Sequence, residues 1–497
     1  MNDKLLKARE YECKKEKTIA EEFRPLFHLT PRCGWMNDPN GFSIYKGKYH
    51  LFYQYNPYET VWGPMHWGHV ESEDLIDWKY LPAVMAPEAD YDKDGCFSGS
   101  AIETEDGKHL ILYTGVLRKQ DENGNFYDVQ TQCVAVGDGK DYEKYEMNPV
   151  ITGDKLPEGA GKIDFRDPKI WKENGKYYLV AGNKTVDGDG QLLQYSSDDG
   201  FNWKYDKILI KNNKRFGVMW ECPDYFALDG KHVLLTSPQD MLPEGLEFHN
   251  GNGTLCIIGS VNDEGDFCEE NCQAVDYGID FYAPQTTRTK DGRQVMIGWL
   301  QNWDTLAIKR EDFPWFGQMS LPREISIKNG RLIQKPIREI ENYYGKRVSR
   351  QNVIVTDDCV LSSLEGRCID MTVNVRLAGT YLSYGKFEIR FADNGKEYSS
   401  IEFDPVESIV KIDRKHSGNR RAIVHQRRCK VADNNGEIKL RVILDRYSME
   451  LFINDGEQVM SMGIFTDIKA EGISFRANGE LIMDVVMNEL EKKNEQI

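Results

Sequence analysis

The sequence predicts an all-β chain, a five-bladed β-propeller followed by a C-terminal β-sandwich. Three observations predict it. Short runs rich in aromatic and branched residues, such as residues 49–55, 109–113 and 176–180, are punctuated by Gly, Asn and Asp, as strands and hairpins are. A turn of Asp, two residues, Asp or Asn, then an aromatic recurs at residues 72–78, 136–142, 197–203 and 261–267. Beyond residue 350 the apolar and polar positions alternate more cleanly.

Residues 1–23 are charged throughout, with no apolar stretch of signal-peptide length. They read as a polar helical extension laid across the body. Residues 24–335 carry the repeat. Its aromatics stand at 78, 142, 203 and 267, in steps of 64, 61 and 64, a period suited to four-stranded blades with long loops. The Asp and Asn side chains close the turn by local hydrogen bonds, and the aromatic packs back onto the blade. One such turn is a common hairpin; four at near-constant spacing specify a repeat. A fifth step lands near residues 328–332, another hairpin signal, which gives five blades.

Residues 336–350 are basic and tyrosine-containing, and read as a linker. Residues 351–497 form the second domain. Residues 448–453 run into Asn454-Asp455-Gly456, and residues 473–477 meet Asn478-Gly479 and resume at 481–483. Both turns are hairpin signals. Many short strands without helices suggest a β-sandwich. The last ten residues read as a polar tail.

The net charge of −17 argues against nucleic-acid partners and against adsorption to anionic membranes. No run of about 18 apolar residues exists, so no membrane span is expected. The 11 cysteines are odd in number and lack a C-x-x-C pair, which reads as reduced thiols in the cytoplasm. The expected partner is a neutral small molecule. Nothing in the sequence sets the oligomeric state.

Three acidic segments stand out: Trp35-Met36-Asn37-Asp38-Pro39-Asn40-Gly41, Phe165-Arg166-Asp167-Pro168 and Trp220-Glu221-Cys222-Pro223-Asp224. In each, a proline follows the acid directly or after one residue. Proline fixes the chain and removes a backbone donor, which can hold a side chain in one direction. The repeat puts the segments on three blades, where the inner strands face the axial channel and the acids can converge.

These segments resemble glycoside hydrolase family 32, the invertases, sucrose-6-phosphate hydrolases and exo-acting fructanases. Phe97-Ser98-Gly99-Ser100, residues 281–285 and Gly298-Trp299 also look like family segments. The resemblance implies a retaining β-fructofuranosidase that needs no metal or cofactor. It implies Asp38 as nucleophile, Glu221 as acid and base, and Asp167 as transition-state stabiliser. Asn37, Gln54, Trp62, Phe97, Ser98, Arg166, Tyr282 and Trp299 match positions expected to line the sugar pocket. For Trp62, Phe97 and Trp299 the alternative is core packing.

Electrostatics agrees with these roles. A fructosyl oxocarbenium ion needs one ionised and one protonated carboxyl beside it. The field of Asp38 and Asp167 should raise the cost of ionising Glu221, while Arg166 should keep Asp167 charged. His66 and His69 read as structural or pocket-lining, and Cys222 as buried packing. The basic run Lys211, Lys214 and Arg215, with Lys309 and Arg310 second, offers candidate contacts to a phosphorylated leaving sugar. Two other readings remain: an inverting five-bladed glycosidase such as an arabinanase or xylosidase, and a non-catalytic carbohydrate-binding protein.

Overall fold

The computed structural model describes residues 3–307, 313–418 and 423–492. Five sheets follow one another along the chain, each built around a four-stranded antiparallel meander. Their first strands are Gly34–Tyr45, Gly95–Glu103, Ala160–Glu173, Met219–Leu228 and Tyr282–Arg288. These five strands pack side by side in order, and the fifth packs on the first, so the ring closes. A short strand, Trp315–Phe316, leaves the fifth blade and pairs in parallel with Gly34 and Trp35 of the first.

The repeated turns occupy one place. In all five sheets the predicted turn joins the third strand to the outermost one. The chemistry is shared as well. Asp74 Oδ1 accepts from the backbone N–H of Ile76 and Asp77 at 2.9 and 2.8 Å. Asp199 Oδ1 accepts from Phe201 and Asn202, both at 2.8 Å. Burial follows distance from the axis: Lys48–Asn56 is almost wholly buried, whereas the outer strand Lys204–Lys211 has a single buried residue.

The C-terminal part stacks two six-stranded sheets. Residues 336–350, read as a linker, hold a 3-10 turn at Arg338–Tyr343 and then enter strand Tyr344–Val355, which pairs with Leu481–Leu490. Asn478-Gly479 does not make the hairpin that its composition suggests. Strand Gly472–Gly479 pairs with Tyr384–Asp393 in one sheet, while Leu481–Leu490 pairs with Ile369–Leu377 in the other. Gly479, at φ +108°, turns the chain between layers, and a Cβ there would stand 2.2 Å from the Ser383 carbonyl oxygen. Asn488-Glu489-Leu490, read as tail, complete the last strand.

The N-terminal helix Asp3–Glu16 lies on the outer strand of the first blade, with Arg9 donating to the Ala83 carbonyl at 2.7 Å and Glu12 accepting from its N–H at 3.0 Å. Propeller and sandwich meet through buried charge. His28 contacts Asp445 at 2.9 Å and Glu450 at 3.0 Å. Arg323 pairs with Glu450 at 2.6 Å and Asp276 at 3.0 Å. Among the described residues no helix is long and apolar enough to cross a membrane.

Candidate active site

Each of the five inner strands carries one extra residue at the same level. The pairing register slips between Met36 and Pro39, Phe97 and Gly99, Arg166 and Lys169, Glu221 and Asp224, and Tyr282 and Gln285. Such a bulge leaves a residue unpaired and re-aims its side chain. Proline explains four of the five, because it has no N–H to give to the ladder. It stands at 39, 168, 223 and 284. In the second blade Gly99 takes the place, where a Cβ would lie 2.0 Å from the Leu112 carbonyl oxygen. Asp167, Cys222 and Ala283 sit at φ +64°, +48° and +51°. That conformation costs a non-glycine residue about 1–2 kcal/mol, strain of the kind that collects at functional sites.

The bulges bring the three acids together. Cys222 links two of them: its thiol lies 3.5 Å from Asp38 Oδ2 and 3.6 Å from Asp167 Oδ2, and its N–H donates to Asp167 Oδ2 at 2.9 Å. Packing alone, the sequence reading of Cys222, therefore understates its place. The neighbouring Glu221 takes Arg166 Nε on Oε1 at 2.9 Å and the Tyr282 hydroxyl on Oε2 at 2.7 Å. Ser98 donates to Asp38 Oδ2 at 2.8 Å.

Arg166 departs from expectation. Its hydrogen bonds go to Glu221, to Asp164 at 2.8 Å and to Gln130 at 3.3 Å, and none to Asp167. Burial raises the pKa of Asp167; Arg166 opposes the shift, and the charges of Glu221 and Asp38 add to it. The outcome is a net rise, the reverse of the depressed value expected. Asp38 is also raised, first by burial and then by Glu221, with the neighbouring Asn37 side chain and the Ser98 hydroxyl opposing the rise. Asp38, Asp167 and Glu221 thus crowd around one guanidinium, and burial and mutual repulsion raise the pKa of both aspartates.

The other sequence candidates fall into two groups. Asn37 accepts from Trp35 Nε1 at 2.8 Å, and Gln54 donates to the Cys96 carbonyl at 3.0 Å. Trp62 is 43% exposed and meets the edge of Phe97 at 5.9 Å, at the rim rather than in the core. Trp299 is fully buried against Trp35 and Trp303. Its indole N–H is buried with no partner among the described residues. His69 lies in a buried cluster, its Nε2 2.9 Å from His50 Nδ1, while His66 contacts the Pro64 carbonyl. Arg215, half exposed, is bound at both ends of its fork by Glu269. Lys309 and Arg310 lie outside the described residues.

Several contributors had no sequence signal. Asp164 holds both Arg166 and Lys184, the latter at 2.5 Å. Thr114 accepts from the Asp167 N–H at 2.9 Å, and Ser237 accepts from the Ala283 N–H at 3.0 Å. Thr114 and Ser237 stand on second strands, so only folding brings them to the bulges.

Comparison with known proteins fits this geometry. Residues 28–336 match the N-terminal domain of the glycosyl hydrolases family 32, and residues 339–491 match that family's C-terminal region. A sucrose-6-phosphate hydrolase of Zymomonas mobilis is 34% identical, covering 97% of this chain and 94% of its own. A raffinose invertase of Escherichia coli is 33% identical, covering 92% and 93%. Among solved structures, a mutant family 32 β-fructofuranosidase of Bombyx mori in complex with sucrose superposes with a TM-score of 0.84 at 33% identity, covering 99% of each chain.

Proposed function

This chain belongs to glycoside hydrolase family 32, and from that membership and the site geometry we propose a retaining β-fructofuranosidase acting on sucrose, sucrose 6-phosphate or short fructo-oligosaccharides. One observation carries the reading: Asp38 has one oxygen held by Ser98 and the other buried with no partner among the described residues, in a site where Glu221 is fixed by two donors. A free carboxylate oxygen is what a nucleophile needs.

In this reading Asp38 Oδ1 attacks the fructosyl anomeric carbon while protonated Glu221 gives its proton to the leaving oxygen. The result is a fructosyl ester on Asp38 and free glucose or its phosphate. Glu221, now a carboxylate, takes a proton from water as that water attacks the ester, and β-fructose leaves. Arg166 and the Tyr282 hydroxyl orient Glu221 and stabilise its charged form between the two steps. Asp167, aimed by its own left-handed backbone, holds fructose hydroxyls and the developing positive charge. Asn37, Gln54 and Ser98 bind or orient on the fructose side, and Trp62 and Phe97 form the rim.

We assign catalysis to residues 24–335 and a supporting role to residues 351–497, since none of the site residues lies in the latter. We place the enzyme in the cytoplasm, a reading supported by 11 cysteines that are all free thiols. The test is the anomer released first. Proton NMR of sucrose hydrolysis should show β-fructose before mutarotation, and methanol as acceptor should give β-methyl fructoside. Initial α-fructose would make the protein an inverting glycosidase, and no release at all would make it a binding protein.

A further inference from the structure

Where the fourth blade meets the edge of the sandwich, His249 and Leu246 face the edge strand Gln426–Lys430 and the residues before it across a cleft of about 300 Å³. The cleft shares no lining residue with the acidic site. In a chain of net charge −17 its lining is basic: Arg427, Arg428, His249 and His425.

Two of its ring nitrogens lack partners. Nε2 of His249 and Nδ1 of His425 are buried without a hydrogen bond among the described residues. Arg427 is half-buried, and the two carboxylates whose field reaches it are engaged elsewhere. Asp280 is paired with Arg414, and Asp304 accepts from the N–H and side chain of Asn252. Charged residues often guard a sheet edge against pairing with another chain, and exposed Arg428 fits that role. Arg427 does not, because it turns inward. Burial outweighs the fields of those two carboxylates and leaves the Arg427 guanidinium less easily charged than in water, and an anion in the cleft offsets that cost.

The lining also selects the kind of anion. The planar fork of arginine matches the oxygens of a phosphoryl group. Burial and Arg427, with a smaller push from Arg428, bring the pKa of His249 down to about 4 against a hydrogen bond to the Tyr277 backbone. An anion between ring and arginines reverses that field and favours the imidazolium, adding a second charged donor. The space equals that of about ten water molecules, more than an inorganic ion fills. Leu246 and Val424 offer an apolar wall for the remainder.

We propose that this seam binds a small organic phosphate, its phosphoryl group held by Arg427, His249 and His425 and its body against Leu246 and Val424. The proposal is independent of the reaction assigned above and is read by binding. Calorimetry on the full-length protein, with fructose at saturation to occupy the acidic site, should compare glucose 6-phosphate, inorganic phosphate and buffer alone. Glucose 6-phosphate should bind at one site per chain, more tightly than inorganic phosphate. Arg427→Gln should weaken it at least about tenfold, the loss expected for a charge-assisted bond. Arg427→Lys, which keeps the charge but loses the fork, should fall between. If Arg427→Gln does not fold, His249→Gln on the other wall replaces it, with weaker binding expected again. Several outcomes overturn the proposal: no binding at millimolar concentration, binding that fructose abolishes, or binding indifferent to the substitutions. Equal affinity for inorganic phosphate overturns the organic body.

Discussion

The Ser98 hydroxyl donates to Oδ2 of Asp38 at 2.8 Å, while Oδ1 of the same carboxylate is buried with no partner among the described residues. One oxygen is thus positioned and the other left for chemistry. Ser98 comes from the second blade and Asp38 from the first, so the nucleophile is aimed across a blade boundary.

The two roles should separate by mutation. Asp38→Asn should abolish turnover of every substrate and, because a buried carboxylate with a raised pKa destabilises the fold once ionised, should raise Tm at neutral pH. Glu221→Gln should lower kcat on sucrose by about 10²–10⁴, yet spare fructosyl-enzyme formation from substrates whose leaving group needs no proton. Trapping of the ester by mass spectrometry reads the difference. Equal loss of both steps in both variants, with circular dichroism unchanged, would sink the division.

The acid limb of kcat/KM should lie above the ordinary aspartate value of about 4. Burial and the charge of Glu221 raise the pKa of Asp38, so the nucleophile is protonated, and lost, at a higher pH than an exposed aspartate. Ser98→Ala removes a hydrogen bond that opposes the rise and should move the limb upward again. A limb that stays in place would show that Asp38 does not govern it.

Stability should decline on the alkaline side because of His28. Burial opposes its charge, but hydrogen bonds to Asp445 and Glu450 prevail and lift its pKa to about 9. A raised histidine contributes fully below its unfolded value of about 6.5 and loses that contribution as pH rises through 9. The loss is on the order of 3 kcal/mol. Urea melts at pH 6.5 and 9.5 measure it. His28→Gln should flatten the dependence and cost about 3–5 kcal/mol at pH 6.5, because two buried carboxylates lose their partner. An unchanged slope would remove His28 from the account.

Among the basic residues before Glu221, Arg215 should be neutral for substrate choice. Its fork is closed on Glu269, so Arg215→Ala should change kcat/KM for sucrose and sucrose 6-phosphate by the same small factor. If the leaving-sugar phosphate is contacted from this run, the contact is Lys211 or Lys214. The Lys211→Ala/Lys214→Ala variant should then lose about ten- to a hundredfold on the phosphorylated substrate alone. Parallel losses on both substrates would exclude the run altogether.

The sequence by itself determined the blades, the order of the two modules and the three acidic segments. Those are local facts: an Asp-based turn closes on its own backbone, and a proline disrupts the ladder wherever it stands. Even the bulge level was written there, as prolines at 39, 168, 223 and 284. What local pattern did not determine was where partners come from. Asn478-Gly479 carries the composition of a hairpin, yet each flanking strand finds a better partner in a different sheet, so the turn joins layers instead. Arg166 adjoins Asp167 in sequence, but the left-handed bulge turns Asp167 toward the Cys222 N–H, while the Arg166 guanidinium meets Glu221 from the next blade. Only the closed ring decided which charges share the channel, because electrostatic pairing depends on distance through space, which chain neighbourhood does not fix once five blades converge on one axis.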